Sequence, residues 1–166
     1  MKPAPVTLPS SLRRLLGVGA PEQWVGVGNA ALLNEPLLGL ISSRECPGHV
    51  LVATLEQVPL WASAGCVVAS GFHSPLEQQV FRSLLRREGR AVKVLARGMI
   101  DYRPLIEERE SLAAGRLLVL TAFAPSAQRV TRETALMRNQ QVVALSAELI
   151  VPYVSEDSPL ASLANA

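Results

Sequence analysis

The chain is short of cysteine, histidine, aromatic side chains and charge, and each shortage excludes something. Its two cysteines, Cys46 and Cys66, are too few for a disulfide framework and lack C-x-x-C spacing. Free thiols in a reducing, cytoplasmic compartment are the expectation. Two histidines without partners at ligand spacing argue against a zinc site, so no metal and no cofactor are expected. No apolar run reaches membrane-spanning length, because Gly, Pro or charge interrupts each one. The opening "MKPAPVTLPSSLRRLLGVG" has no apolar core of signal-peptide length. No membrane contact is therefore expected. Two Trp, two Tyr and three Phe leave little for base stacking. A net charge of +2 neither demands nor excludes a nucleic-acid partner.

What is present points to a buried α/β core. A length of 166 residues suits one domain. A hydrophobic share of 49% against 18% charged rules out a disordered chain. The apolar weight lies in Ala, Val and Leu, the usual mix of a parallel sheet covered by helices. The positive charge is clustered. Arg82, Arg86, Arg87, Arg90, Lys93 and Arg97 crowd one region, and Arg129, Arg132 and Arg138 another.

Apolar runs alternate with helical spacing. "QWVGVGN" reads as a small edge strand or loop. Pro36–Ser42, Cys66–Ser70, Ala91–Ala96, "RLLVLTAF" and "ELIVPYV" read as strands. Between them come helices at His49–Ala64, from Pro75 to Gly89, at Leu105–Ala114 and at Thr134–Ser146. A further short helix is expected at Ser11–Gly17. Pro59 predicts a kink or early end, and Gly65 and Gly115 predict helix C-termini. Five alternations imply an α/β fold: a doubly wound, mostly parallel, five- to six-stranded sheet with helices on both faces, of Rossmann-like type. Residues 1–23 read as a partly loose extension, 24–155 as the domain and 156–166 as a tail.

In such sheets ligands bind beyond the carboxyl ends of the strands. There the chain places Ser42, Ser43 and Arg44, then Ser70, Gly71, His73 and Ser74, then Arg97. Arg132, Arg138 and Asn139 flank the predicted start of the last helix. Backbone donors, hydroxyls and guanidinium groups suit phosphate. Each residue also has a plainer reading. Ser74-Pro75-Leu76-Glu77 has the form of a capping box, which uses donors an anion would want. His73 stands alone as a turn histidine. Arg44 could simply pair with Glu45 on the surface, and Arg132 and Arg138 could lie on a solvated helix face. Glu107 to Glu110 read as a solvated face with Arg109, and no dependable acid/base pair or catalytic residue emerges.

Together these segments resemble the DNA-processing protein A (DprA/Smf) family. Gly28, Leu33, Pro36 and Ser42-Ser43-Arg44 occupy the places of its lead-in and "VAIVGSR"-like strand. "VVASGFHSPLEQQVFRSLL" is similar to its "VVSGLARGID…H" segment, and "AVKVLARGMIDYRP" to its "IAVLGCGLDVVYP". "MRNQQVVALSAELIV" is the most specific piece, and order and spacing hold from Trp24 to Val154. The turn Gly71 to Glu77 lacks the family's arginine and aspartate, Ser158-Pro159-Leu160 is the nearest match to its last turn, and no winged-helix or N-terminal helical domain is matched. The resemblance implies a stand-alone Rossmann-like core whose crevice holds single-stranded DNA, with Ser43, Arg44, Ser70, Gly71, Arg138 and Asn139 at family positions, and it allows a homodimer. The expected function is a non-catalytic module binding phosphates of a nucleotide or single-stranded DNA. One alternative is a nucleotide-processing enzyme of the phosphoribohydrolase (lysine-decarboxylase-like) type, with Ser74-Pro75-Leu76-Glu77 as the nearest analogue of its glutamate turn. The other is a regulatory partner without ligand.

Overall fold

A computed structural model describes residues 2–12 and 23–156. The apolar runs become the centre of a seven-stranded sheet. Its strands are β1 (Ala4–Val6), β2 (Trp24–Gly28), β3 (Leu37–Leu40), β4 (Val67–Ser70), β5 (Arg90–Val94), β6 (Leu117–Thr121) and β7 (Glu148–Ile150). They lie in the order β1-β2-β6-β5-β4-β3-β7. From β7 through β3, β4 and β5 to β6 all pairs are parallel. The helices are α1 (Gly48–Leu55), α2 (Val58–Ser63), α3 (Pro75–Arg86), α4 (Ile106–Ala113) and α5 (Arg132–Leu145), with a 3₁₀ turn at Ala30–Asn34.

Strand alternation divides the core in two. Leu38, Leu40, Val68, Ala91, Leu117 and Val119 face one layer, which α2, α3 and α4 cover with Val58, Trp61, Leu76, Val80, Phe81, Leu84 and Leu112. Leu37, Val67, Ala69, Val92, Leu118 and Leu120 face the other, which the 3₁₀ turn and α5 cover with Leu32, Leu33, Val142 and Leu145. Each buried Val, Leu or Phe among them stabilises the fold by about 1.5–3 kcal/mol relative to exposure. The doubly wound arrangement follows from these two faces.

The sheet departs from expectation at its margins. It has seven strands rather than five to six. "QWVGVGN" forms β2, which is not an edge: it pairs antiparallel with both β1 and β6. The stretch ahead of residue 24 supplies that outer strand, and Leu8 and Leu12 are buried. The expected helix at Ser11–Gly17 falls largely outside the described residues. Pro59 behaves as predicted, since the chain breaks between α1 and α2 and the proline sits in the first turn of α2. Gly65 and Gly115 end their helices at φ of 72° and 75°, where a Cβ is penalised.

Candidate functional site

The switch in winding direction falls at β3, whose neighbours are β4 and β7. Beyond the carboxyl ends of β3 and β4 opens a cleft of about 620 Å³. Its walls come from the segment after β3, the turn into α3 and the first half of α5.

The first wall is pinned by the chain's last described segment. Ser43 N–H donates to Tyr153 O at 2.9 Å, and the Ser43 hydroxyl accepts from Ser155 N–H at 3.0 Å. Ser42 and Ser43 are buried, while Arg44 beside them is exposed at the cleft. Arg44 makes no ion pair with Glu45 among the described residues.

The second wall is the glycine turn. Ser70 is fully buried, and its hydroxyl accepts from Phe72 N–H at 3.0 Å. It thereby holds Phe72 in the left-handed region, at φ 49°, and does not line the cleft. Ser74 caps α3, accepting from Glu77 N–H at 3.4 Å. The Glu77 carboxylate reaches further than a capping box requires. Besides Ser74 N–H at 3.3 Å, it accepts from His73 N–H at 3.0 Å and from Ser42 N–H, across the cleft floor, at 2.9 Å. Buried to 3% exposure, it occupies three backbone donors that sequence spacing offered to a phosphate. His73 has its N–H on Glu77 and its carbonyl on Gln78 Nε2, at 2.7 Å. Its ring is exposed at the cleft.

The third wall is α5, which begins earlier than its apolar spacing indicates. Thr131 caps it, accepting from Thr134 N–H at 3.1 Å. Arg132 is thus the first helical residue, and Arg138 and Asn139 lie well inside the helix rather than at its start. Arg132 is exposed. Arg138 is only 4% exposed, and its guanidinium passes over Gly71. A Cβ at Gly71 would overlap Cζ, Nη1 and Nε of that group, so the glycine is required for close approach rather than for its dihedral angles. Arg138 Nε donates to Asn139 Oδ1 at 2.9 Å. Its terminal nitrogens have no hydrogen-bond or ion-pair partner among the described residues, and the residue lines the cleft. Burial lowers the guanidinium's pKa, and Glu77 opposes that shift. An arginine keeps its charge in such a setting.

Arg97 is not brought to the cleft. Its guanidinium lies 6.0 Å from the centre of the Tyr102 ring and reaches Gly98 O at 3.4 Å. It belongs to a separate cluster around Glu108, which is fully buried and not part of a solvated face. Glu108 is the third residue of α4, and it accepts from Leu105 N–H at 2.9 Å. Lys93 Nζ lies 3.1 Å from its carboxylate, and the Tyr102 hydroxyl lies 2.6 and 2.8 Å from its two oxygens. Burial first, and the carboxylate second, push the Tyr102 hydroxyl far above the usual phenol range.

The cleft therefore joins Ser43, Arg44, His73, Ser74, Arg132, Arg138 and Asn139, and leaves out Ser70 and Arg97; Gly71 lies behind it, under the Arg138 guanidinium. Sequence spacing missed what Glu77 does, because its contact with Ser42 spans 35 positions. Among the described residues no three His, Cys, Asp or Glu side chains gather as a metal site, and no helix is long and apolar enough to cross a membrane.

The sequence profile of the family DNA recombination-mediator protein A matches residues 5–163. No curated protein sequence matches the chain significantly. Among solved structures it is similar to DNA processing protein A from Helicobacter pylori, with a TM-score of 0.77 and 19% identity over 95% of this chain and 72% of that one. That structure is described in terms of a unique single-stranded DNA binding mode. The DNA processing protein A of Streptococcus pneumoniae is similar at a TM-score of 0.68 and 23% identity, over 86% of this chain. The present chain spans 50% of the length of that protein.

Proposed function

The chain belongs to the DNA recombination-mediator protein A family, and from that premise we propose that its cleft is a non-catalytic site for the phosphates of single-stranded DNA or a nucleotide, used in DNA processing. The observation that carries this is Arg138. It is 4% exposed and lines the cleft, and its terminal nitrogens have no hydrogen-bond partner among the described residues. The neighbouring Glu77 carboxylate is spent on backbone N–H groups, so a further anion would offset the cost of burying the guanidinium. Arg132, on the same helix, and Arg44, on the first wall, add charge to the cleft. The cleft's walls carry no Phe, Tyr or Trp and only the His73 ring as an aromatic, so affinity would come mainly from charge and depend steeply on salt.

The enzyme alternative loses support from the same geometry. Glu77 is its candidate glutamate, yet its carboxylate already accepts three backbone N–H groups.

Anisotropy of a labelled oligothymidylate at rising salt tests the proposal. Three arginine–phosphate contacts correspond to a slope of log K against log salt of about −2. No binding at low salt, or binding indifferent to salt, defeats it. Unchanged affinity in Arg138→Ala would mean that the strand binds elsewhere than at this cleft, and no binding at all would favour a regulatory partner without ligand.

A further inference from the structure

Three backbone donors of the cleft are occupied, and the terminal nitrogens of its guanidinium groups are not, among the described residues. Backbone N–H groups at a strand end and helix start are the usual seat for a phosphate in a doubly wound fold. Here those of Ser42, His73 and Ser74 converge on the Glu77 carboxylate at 2.9, 3.0 and 3.3 Å. The carboxylate is itself an anion held where a ligand's phosphate would otherwise sit. The charged donors that remain for a ligand are guanidinium groups, displayed from three places: after β3 (Arg44), at the first residue of α5 (Arg132) and farther along α5 (Arg138).

We propose, resting on the reading of this cleft as a phosphate site, that Glu77 makes it select internal phosphodiesters of a polynucleotide over terminal phosphates, free nucleotides and inorganic phosphate. A phosphate monoester carries close to two negative charges at neutral pH, its second ionisation lying near pH 6. Such a dianion needs a dense set of donors at one point. Where the N–H groups of Ser42, His73 and Ser74 converge it meets a fixed like charge, which repels strongly in a partly desolvated site. A phosphodiester carries one charge and needs only one guanidinium. A strand presents such charges in series and can engage Arg44, Arg132 and Arg138 together, whereas a mononucleotide has a single phosphate to offer them.

The test is competition against a labelled 5′-hydroxyl oligothymidylate at low salt and pH 7.5, paired with thermal shift. The competitors are the unlabelled oligonucleotide with a 5′-hydroxyl, the same one 5′-phosphorylated, thymidine monophosphate and sodium phosphate. The two oligonucleotides are expected to compete within about twofold of each other. The nucleotide and inorganic phosphate are expected to be weaker by at least about a hundredfold, as loss of two charge-assisted contacts implies. Glu77→Gln and Glu77→Ala, checked for folding by circular dichroism, are expected to bind inorganic phosphate at least about tenfold more tightly than the wild type. A wild-type preference for the 5′-phosphorylated strand, nucleotide binding as tight as the strand's, or folded Glu77 variants with no gain for phosphate would each overturn the inference. Should both variants fail to fold, the wild-type competition decides alone. Should the oligonucleotide not bind at all, the functional reading fails, and the phosphate arm still judges Glu77 separately: gain in the variants supports its role, and absence of gain removes it.

Discussion

Glu77 and Glu108 are the same residue in the same helical position, and their surroundings make them opposites. Each is the third residue of a helix that follows a parallel strand, each is buried, and each accepts its N-cap N–H. Around Glu108 the charges are closed upon one another. Lys93 and Tyr102 both face its carboxylate, and Lys93 also lies 5.3 Å from the Phe81 ring centre. Around Glu77 the carboxylate is satisfied by backbone N–H alone, and the nearby cation, Arg138, keeps its terminal nitrogens for the cleft. A buried carboxylate quenched by a lysine holds a fold together. One quenched by amides leaves an arginine free to bind something else.

The strongest way to break this contrast is at Glu108. Glu108→Gln is expected to lower the unfolding free energy by about 3 kcal/mol, the lower end for stranding a buried charge because Lys93 keeps some solvent. Urea denaturation would show this, with strand affinity in the folded fraction unchanged. Arg138→Ala should do the reverse. Its loss of a charge-assisted contact is expected to weaken oligothymidylate binding by about 2 kcal/mol, roughly thirtyfold in Kd, with stability held within about 1 kcal/mol because the guanidinium's desolvation cost disappears too. Gly71→Ala should reach the same binding defect by displacing the guanidinium, with an added overpacking cost of about 1–3 kcal/mol.

A pH experiment sharpens the closed side. The Tyr102 hydroxyl titrates higher in the folded chain than in the unfolded one. Its contribution is therefore complete below the ordinary phenol range and is lost as pH rises above about 10. There the unfolded chain releases a proton that the folded chain keeps. Stability should fall by up to about 1.4 kcal/mol per pH unit, and Tyr102→Phe should flatten that part of the curve. The smallest effect belongs to the open side's rim. Arg44→Ala is expected to change stability by no more than about 0.5 kcal/mol while making the salt slope shallower by about 0.7. An unchanged slope would remove Arg44 from the site.

Much of the fold could be read before it was known, whereas the contrast itself largely escaped, for a common cause. The α3 start was legible because a capping box is local: Ser74 and Glu77 are three positions apart. The interruption at Pro59 and the left-handed ends at Gly65 and Gly115 were legible for the same reason. Glu77's bond to Ser42 was not, since no spacing rule connects a helix's first turn to the end of an earlier strand. Glu108 stands in the run Glu107-Glu108-Arg109-Glu110, which has the composition of a wet surface. Only its place three residues after Leu105 could have marked it as a cap. The α5 start slipped because polar Arg132, Glu133 and Thr134 hide the period, although Thr131 and Thr134 carried a capping signal. Ser70 and Arg97 were assigned to the crevice by the strand-end rule. That rule locates a backbone and says nothing of where a hydroxyl or guanidinium turns. β1 was missed because three residues give no period.

The bonds from Tyr153 and Ser155 to Ser43 carry one more implication, for the order of events as the chain is made. The pair Ser155–Ser43 is separated by 112 positions, and β3 finds β7 across a similar span. β3 to β6 can pair in sequence as each crossover emerges, whereas contacts of such separation form late. The arginines of α5 and the clasp on Ser43 arrive after the sheet's centre exists. A nascent chain released before that point could own most of a core and still have no cleft, so competence to bind would report that synthesis had run at least as far as the clasp.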